Sequence, residues 1–198
     1  MNNPIKNFTK KEWILWIASL LIVIVSNLFS TDFDLLTLMA ALIGVTSLIF
    51  AAKGNVWAQI LMIMFSILYG IISYRFRYWG EMITYLGMAL PMAVWSTLTW
   101  IRHPSGGNGN EVEIQVLHRT QLLCVGGVSV IVTFVFYLIL AALDTPNIVF
   151  STISVVTSFL AAALTMLRSS YYALGYAAND IVLIVLWTLA SLENPAYI

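Results

Sequence analysis

Few residues in this chain have chemistry to offer, and the best of them share one face. Tyr172, Tyr176, Asn179 and Leu183 recur at helical spacing, with Asp180 on the flank of that face. Two phenols, an amide and a carboxylate offer aromatic faces, hydrogen-bond donors and acceptors, and a negative charge. Asp180 is the one carboxylate deep inside a long apolar run, where an ionisable group is costly and calls for a reason. Such a stripe is not a lipid-facing surface, so it should point into the protein. Its plainer reading is a bond to a neighbouring helix that only fixes packing.

Other candidates lie nearer the ends of apolar runs. Gln59 reads either as an interhelical hydrogen-bond donor or as a ligand contact. Glu81 and Tyr85, four apart, share a face and suit a gate or access role, or else an interfacial carboxylate beside Arg75 or Arg77. Trp13, Trp16, Trp79 and Trp100 read as interfacial anchors, and Trp57 would too but for the repeat described below. Pro91 should kink its helix. His103 and His118 fall in a loop and make no metal site. Phosphate-cradling G-x-x-x-x-G-K-[ST], H-E-x-x-H, G-x-S-x-G and C-x-x-C patterns are absent. No aspartyl dyad is available to Asp180. The expectation is a non-enzyme with no cofactor and no catalytic residue.

The elements that position these residues follow from composition. Of the 198 residues 61% are hydrophobic and 9% charged, with nine Lys and Arg against nine Asp and Glu. Too few charges remain to coat a soluble globule, and there is no basic excess for nucleic acid. Cys124 has no partner for a disulfide. An integral membrane protein remains, with the lipid bilayer as its surroundings. Seven continuously apolar runs of helical length predict seven spans: Trp13 to Phe29, Leu35 to Ala51, Val56 to Tyr74, Trp79 to Ile101, Gln121 to Leu143, Ile148 to Leu167 and Tyr172 to Leu192. No small-residue cleavage site follows the first run, which reads as a retained helix. Lys6, Lys10, Lys11, Lys53, Arg102, Arg119 and Arg168 then fall on one side, against Arg75 and Arg77 on the other. The N-terminus should be cytoplasmic and the C-terminus outside.

A weak repeat joins the halves. Shifting by 115 residues sets Lys53 on Arg168, Asn55 on Ser170, Trp57 on Tyr172 and Thr37 on Thr152. The expected organisation is repeat one over 13–74, a linker helix over 79–101, a cytoplasmic loop over 102–120 and repeat two over 121–192, all in one membrane domain. Three-helix units joined by an odd span lie parallel in the membrane, a known transporter design with substrate at the interface of the repeats.

Several stretches resemble the PnuC family of nicotinamide riboside transporters. They are Lys53-Gly54-Asn55-Val56-Trp57, Leu68-Tyr69, Tyr78-Trp79-Gly80-Glu81-Met82, Trp95 and Trp100, Arg168-Ser169-Ser170-Tyr171-Tyr172 and Asn179-Asp180-Ile181-Val182-Leu183, with Phe8-Thr9-Lys10-Lys11-Glu12-Trp13 at the opening. The resemblance covers nearly the whole chain. It implies an all-α, SWEET-like 3+1+3 fold in a bacterial plasma membrane. It also implies uptake of a vitamin-type substrate by facilitated diffusion, with trapping by a cytoplasmic kinase. Thiamine or riboflavin are the alternatives within the family. Where many nicotinamide riboside carriers have a tryptophan-rich signature ending in Val-Asp or Val-Asn, this chain has Tyr171, Tyr172 and Tyr176 followed by Asn179-Asp180. The substrate-binding expectation is therefore Tyr172, Tyr176, Asn179, Asp180, Trp57 and Gln59, with Glu81 and Tyr85 at a gate. Two other readings stay open: proton-coupled uptake through Asp180, and a heptahelical sensor or assembly subunit without flux. The sequence is compatible with self-association.

Overall fold

The computed structural model describes residues 5, 8–29, 33–106, 110–145 and 147–193. Among them the chain forms helices α1 (Lys10–Leu28), α2 (Leu35–Ala52), α3 (Trp57–Arg75), α4 (Trp79–Arg102), α5 (Arg119–Ala142), α6 (Ile148–Met166) and α7 (Tyr172–Glu193). The first six are each long and apolar enough to cross a bilayer, and the apolar part of α7 runs Tyr172–Leu186. The described residues hold no strand beyond two isolated bridges, Asn55 with Glu111 and Pro104 with Val112. The architecture is the all-helical membrane class expected. The chain forms two compact units, Met1–Glu113 and Ile114–Ile198.

In the first unit, local chemistry sets the helix starts. Thr9 and Glu12 form a reciprocal capping box at α1, with Thr9 N–H donating to Glu12 Oε2 at 2.7 Å and Glu12 N–H to Thr9 Oγ1 at 3.3 Å. The same carboxylate accepts from Lys53 Nζ at 3.0 Å, and Lys53 also lies 5.2 Å over the Phe8 ring. This ties the start of α1 to the end of α2. Asp34 caps α2, accepting from Thr37 Oγ1 at 2.7 Å and Thr37 N–H at 3.1 Å. The Thr37 hydroxyl, the Thr37 amide and the Arg75 guanidinium at 3.6 Å hold the Asp34 carboxyl below its ordinary range.

Trp100 departs from the sequence reading. Instead of anchoring at an interface it is 0% exposed, packed with Val56, Val112 and Ile60. The cluster binds the end of α4 to the α2–α3 turn and to the returning loop. That loop pairs with the turn as a strap: Val56 N–H donates to the Asn110 carbonyl at 2.8 Å, and Val112 N–H to the Gly54 carbonyl at 2.9 Å.

The second unit repeats this turn at a different register from the one the side chains suggest. Gly54 (φ 61°) and Arg168 (φ 56°) are the left-handed residues that close α2 and α6. Gly54 N–H donates to Ala51 and Asn55 N–H to Phe50; Arg168 N–H donates to Thr165 and Ser169 N–H to Leu164. Side chains recap the next helix in the same way, Asn55 Oδ1 accepting from Trp57 N–H and Ser169 Oγ from Tyr171 N–H. Even the strap recurs, with Gln115 N–H donating to the Arg168 carbonyl at 2.9 Å as Val112 does to Gly54. The turn and capping pairs are 114 residues apart, not 115, and the two strap donors, Val112 and Gln115, are near neighbours on one loop. Trp57 therefore corresponds to Tyr171 rather than Tyr172, Asn55 to Ser169, and Thr37 to Ser151. The earlier register matched Lys53 to Arg168 by charge, whereas the backbone matches a glycine to that arginine.

Within this unit α7 lies close against α6 at Gly175, where a Cβ would come 2.8 Å from Ala161 Cα. Gly126 on α5 would meet nothing within 4 Å. Gly175→Val should cost about 1–3 kcal/mol through a clash that backbone alone can relieve, while Gly126→Ala should stay within about 1 kcal/mol of wild type, both read by thermal unfolding of the purified protein. Asp34→Ala should lower the melting temperature at neutral pH. Because the folded carboxyl ionises more readily than the unfolded one, its stabilisation is present above the ordinary Asp range and fades as pH falls through the lower folded value. The gap from wild type should thus narrow below about pH 4.

Candidate functional site

In the first unit the candidates gather around a widened turn of α4. Residues Thr84–Ala89 form a π-helical turn between the α-helical stretches Trp79–Ile83 and Leu90–Arg102, with the Leu90 amide bonded to the Tyr85 carbonyl five residues back. The turn lies just before Pro91, whose ring has no N–H and cannot tolerate a regular carbonyl four residues earlier. The expected kink at Pro91 is therefore a one-residue widening. Gly70 of α3 lets this turn approach, since a Cβ there would reach 2.5 Å from the Leu86 side chain.

The widened turn brings Tyr85 onto α3. Its ring centre lies 4.4 Å from that of Tyr69 and 5.6 Å from that of Phe65, and the Phe65 and Tyr69 rings stack at 5.5 Å. Glu81, one turn before Tyr85, is within electrostatic reach of both phenols. Arg75 does not serve it and pairs with Asp34 instead. The result is three aromatic rings with a half-buried carboxylate beside them. Gln59 lies buried two turns earlier on α3, followed at seven-residue steps by buried Ser66 and Ser73. Ser66 Oγ and Trp57 Nε1 are buried with no hydrogen-bond partner among the described residues.

In the second unit the stripe on α7 meets α6. Tyr172 and Asn179 are each 8% exposed and Tyr176 is half-buried. Asn179 Oδ1 accepts from Thr157 Oγ1 at 2.8 Å and from Ser158 Oγ at 2.9 Å, while Tyr176 pairs with the buried Thr165. Asp180, a third of a turn further round, lies on the exposed side of the helix rather than with this row. Trp57, Gln59, Glu81 and Tyr85 belong to the first unit, and Tyr172, Tyr176, Asn179 and Asp180 to the second. The sequence reading missed Phe65, Tyr69, Thr157 and Ser158. The signal for the first two was their four-residue spacing on α3, which places both on one face. For the hydroxyls there was none, because Ser and Thr inside membrane helices commonly bond their own backbone.

Six helices long and apolar enough to cross a bilayer, with buried polar side chains such as Gln59, Tyr172 and Asn179 among the described residues, define a multi-pass membrane protein. Residues 34–196 match the family described as nicotinamide mononucleotide transporter, and the chain belongs to that family. It is 29% identical over 160 residues to the nicotinamide riboside transporter PnuC of Neisseria mucosa, covering 79% of this chain and 60% of that protein. The crystal structure of the vitamin B3 transporter PnuC superposes with a TM-score of 0.79 at 27% identity, covering 95% of this chain and 81% of that one.

If Pro91 sets the widened turn, Pro91→Ala should let α4 relax towards a regular helix and rotate Tyr85 away from Tyr69. Stability should stay within about 1 kcal/mol of wild type or rise, since a proline is being removed from a helix interior. Affinity for the transported ligand, measured by calorimetry, should fall.

Proposed function

We propose that the chain carries nicotinamide riboside across the bacterial plasma membrane by facilitated diffusion. The observation that supports this reading most is the set of Phe65, Tyr69 and Tyr85 rings with Glu81 beside them. Nicotinamide riboside has a flat pyridinium cation. An aromatic face attracts such a cation by roughly 0.5–2 kcal/mol, more when water is excluded, and a carboxylate offsets the charge. Gln59 and the unpartnered donors of Ser66 and Trp57 can serve a sugar or an amide.

The family description names the mononucleotide, while the curated relative is named for the riboside. The chemistry of this chain favours the riboside. A phosphate would require Arg or Lys in a buried position. The basic residues of the helices stand at their ends: Lys10 and Lys11 open α1, Arg75 closes α3, Arg102 closes α4 and Arg119 opens α5. Phosphorylation in the cytoplasm by a separate kinase would then trap the product, because the added charge has no counterpart in the carrier. The bias of basic residues supports a cytoplasmic N-terminus and an outer C-terminus. Thiamine, also a flat cation, is the second candidate on the same observation, and riboflavin, being neutral, fits it less well.

Purified protein in proteoliposomes should take up labelled nicotinamide riboside down its gradient with no dependence on an imposed pH gradient. Unlabelled riboside should compete better than thiamine, riboflavin or the mononucleotide. No uptake, or stronger competition by another vitamin, would reassign the substrate, and acceleration by a proton gradient would restore coupling through a carboxylate. Tyr85→Ala should weaken binding by roughly 2- to 30-fold, the range of one cation–π contact, while Tyr85→Phe should change it little.

A further inference from the structure

Ser66 forgoes a bond that other hydroxyls of these helices make. Serine and threonine inside a helix commonly donate to the carbonyl four residues back. Thr46, Thr97, Ser129 and Thr165 do so here, at 2.7–2.8 Å. The Ser66 hydroxyl bonds neither the Met62 carbonyl nor any other group among the described residues, and the residue is 0% exposed, so solvent does not reach it. A buried donor left unpaired is costly, and an acceptor within a short movement would relieve it.

Such an acceptor lies across the contact with α4. Ser66 stands three and four residues before Tyr69 and Gly70 on α3, hence one turn away on the same face. Those two residues receive the widened turn, Tyr69 against the Tyr85 ring at 4.4 Å and Gly70 against the Leu86 side chain. In that turn the Leu90 amide bonds to the Tyr85 carbonyl, five residues back. The next donor in the same register would serve the Leu86 carbonyl, but that residue is Pro91, which has no N–H. Helix carbonyls point towards the C-terminus, and α4 runs antiparallel to α3, since Gly70 meets Leu86 whereas Ile60 meets Trp100. The Leu86 carbonyl therefore points to the level of Ser66. A donor without an acceptor and an acceptor without its main-chain donor face the same interface from opposite sides.

We propose that this contact is a two-position joint. In the position described, Tyr85 packs on Tyr69 and the two polar groups are unpaired. In the other, the widened turn slides along α3 until the Ser66 hydroxyl donates to the Leu86 carbonyl, which draws Tyr85 away from Tyr69. One position keeps a ring contact and the other gains a buried hydrogen bond, contributions of the same order. The last turns of α4 stay fixed, because Trp100 is buried against Val56 and Val112. The movement is thus confined to the stretch before Pro91, which carries Glu81 and Tyr85. The joint stands on the first unit alone, and its part in transport rests on the reading above.

Spin labels on Gly87→Cys in α4 and Met39→Cys in α2, with Cys124→Ser to remove the native thiol, report the separation of these helices by pulsed electron paramagnetic resonance. A Cβ at Gly87 meets only the Ile83 side chain at 3.8 Å, and Met39 is exposed, so both places accept a label. Without ligand the labelled protein should show two distances. Ser66→Ala should abolish one of them and leave the melting temperature at or above that of wild type, because it deletes an unpaired donor. It should also slow nicotinamide riboside uptake into proteoliposomes about two- to tenfold. Pro91→Ala should likewise leave a single distance, by supplying the missing N–H. A single distance before either substitution, or two distances that survive both, overturns the joint. So does a lower melting temperature in Ser66→Ala, which means that the hydroxyl already has a partner. A distance lost in Ser66→Ala with uptake unchanged overturns the role of the joint in transport. No riboside uptake by wild type overturns the transport reading, and the distances still decide the joint.

Discussion

A helix that ends in a tight turn must find partners for its last carbonyls and for the first amides of its successor, because the helix itself supplies none. This chain meets the demand at two turns with the same set of main-chain bonds. A left-handed residue, Gly54 or Arg168, closes the first helix. The side chain that follows, Asn55 or Ser169, accepts an amide of the next helix. A residue of the connecting loop, Val112 or Gln115, then donates its amide to the carbonyl of the left-handed residue. The long hydrophilic loop is thus part of the structure of both units. In the first unit it also buries Trp100 against Val56 and Val112, so that α2, α3 and α4 are fastened at one end by a few hydrogen bonds and one large ring.

Much of the architecture could be read from the sequence because hydropathy is a property of whole segments. The apolar runs fell on helices to within a few residues, from α2 at Leu35–Ala52 to α6 at Ile148–Met166. The repeat was also legible, but its register was not. Aligning like with like put Lys53 on Arg168, yet the equivalence lies in φ, where a glycine and an arginine hold the same left-handed conformation. Arg168 accepts that conformation while its guanidinium donates to Gln115 Oε1 at 2.8 Å, a contact across 53 residues that no local pattern announces.

The candidate site divides along the same line. Tyr85, Glu81, Gln59, Tyr172, Tyr176 and Asn179 were legible because polar and aromatic residues inside apolar runs are few and costly. Which of them meet was not. Pro91 signalled a disturbed helix, but only the structure shows that the disturbance is a π turn that carries Tyr85 onto Tyr69 and Phe65. Asp180 sits next to Asn179 in sequence, and one residue of helical rotation separates a buried amide from an exposed carboxylate. The partners of Asn179 lie on a different helix and carry hydroxyls that ordinarily serve their own backbone.

The shared frame of the two turns has a consequence for how such a protein can change. Its hydrogen bonds are largely main chain to main chain, so the scaffold places little demand on what projects from the middle of α3 and α7. Phe65 and Asn179 occupy matched places on that scaffold with unrelated chemistry, one seated on a glycine and the other on a serine. Two copies of one framework can therefore carry unlike side chains at matched places, each with its own packing partner on the neighbouring helix, without either copy having to learn to fold again.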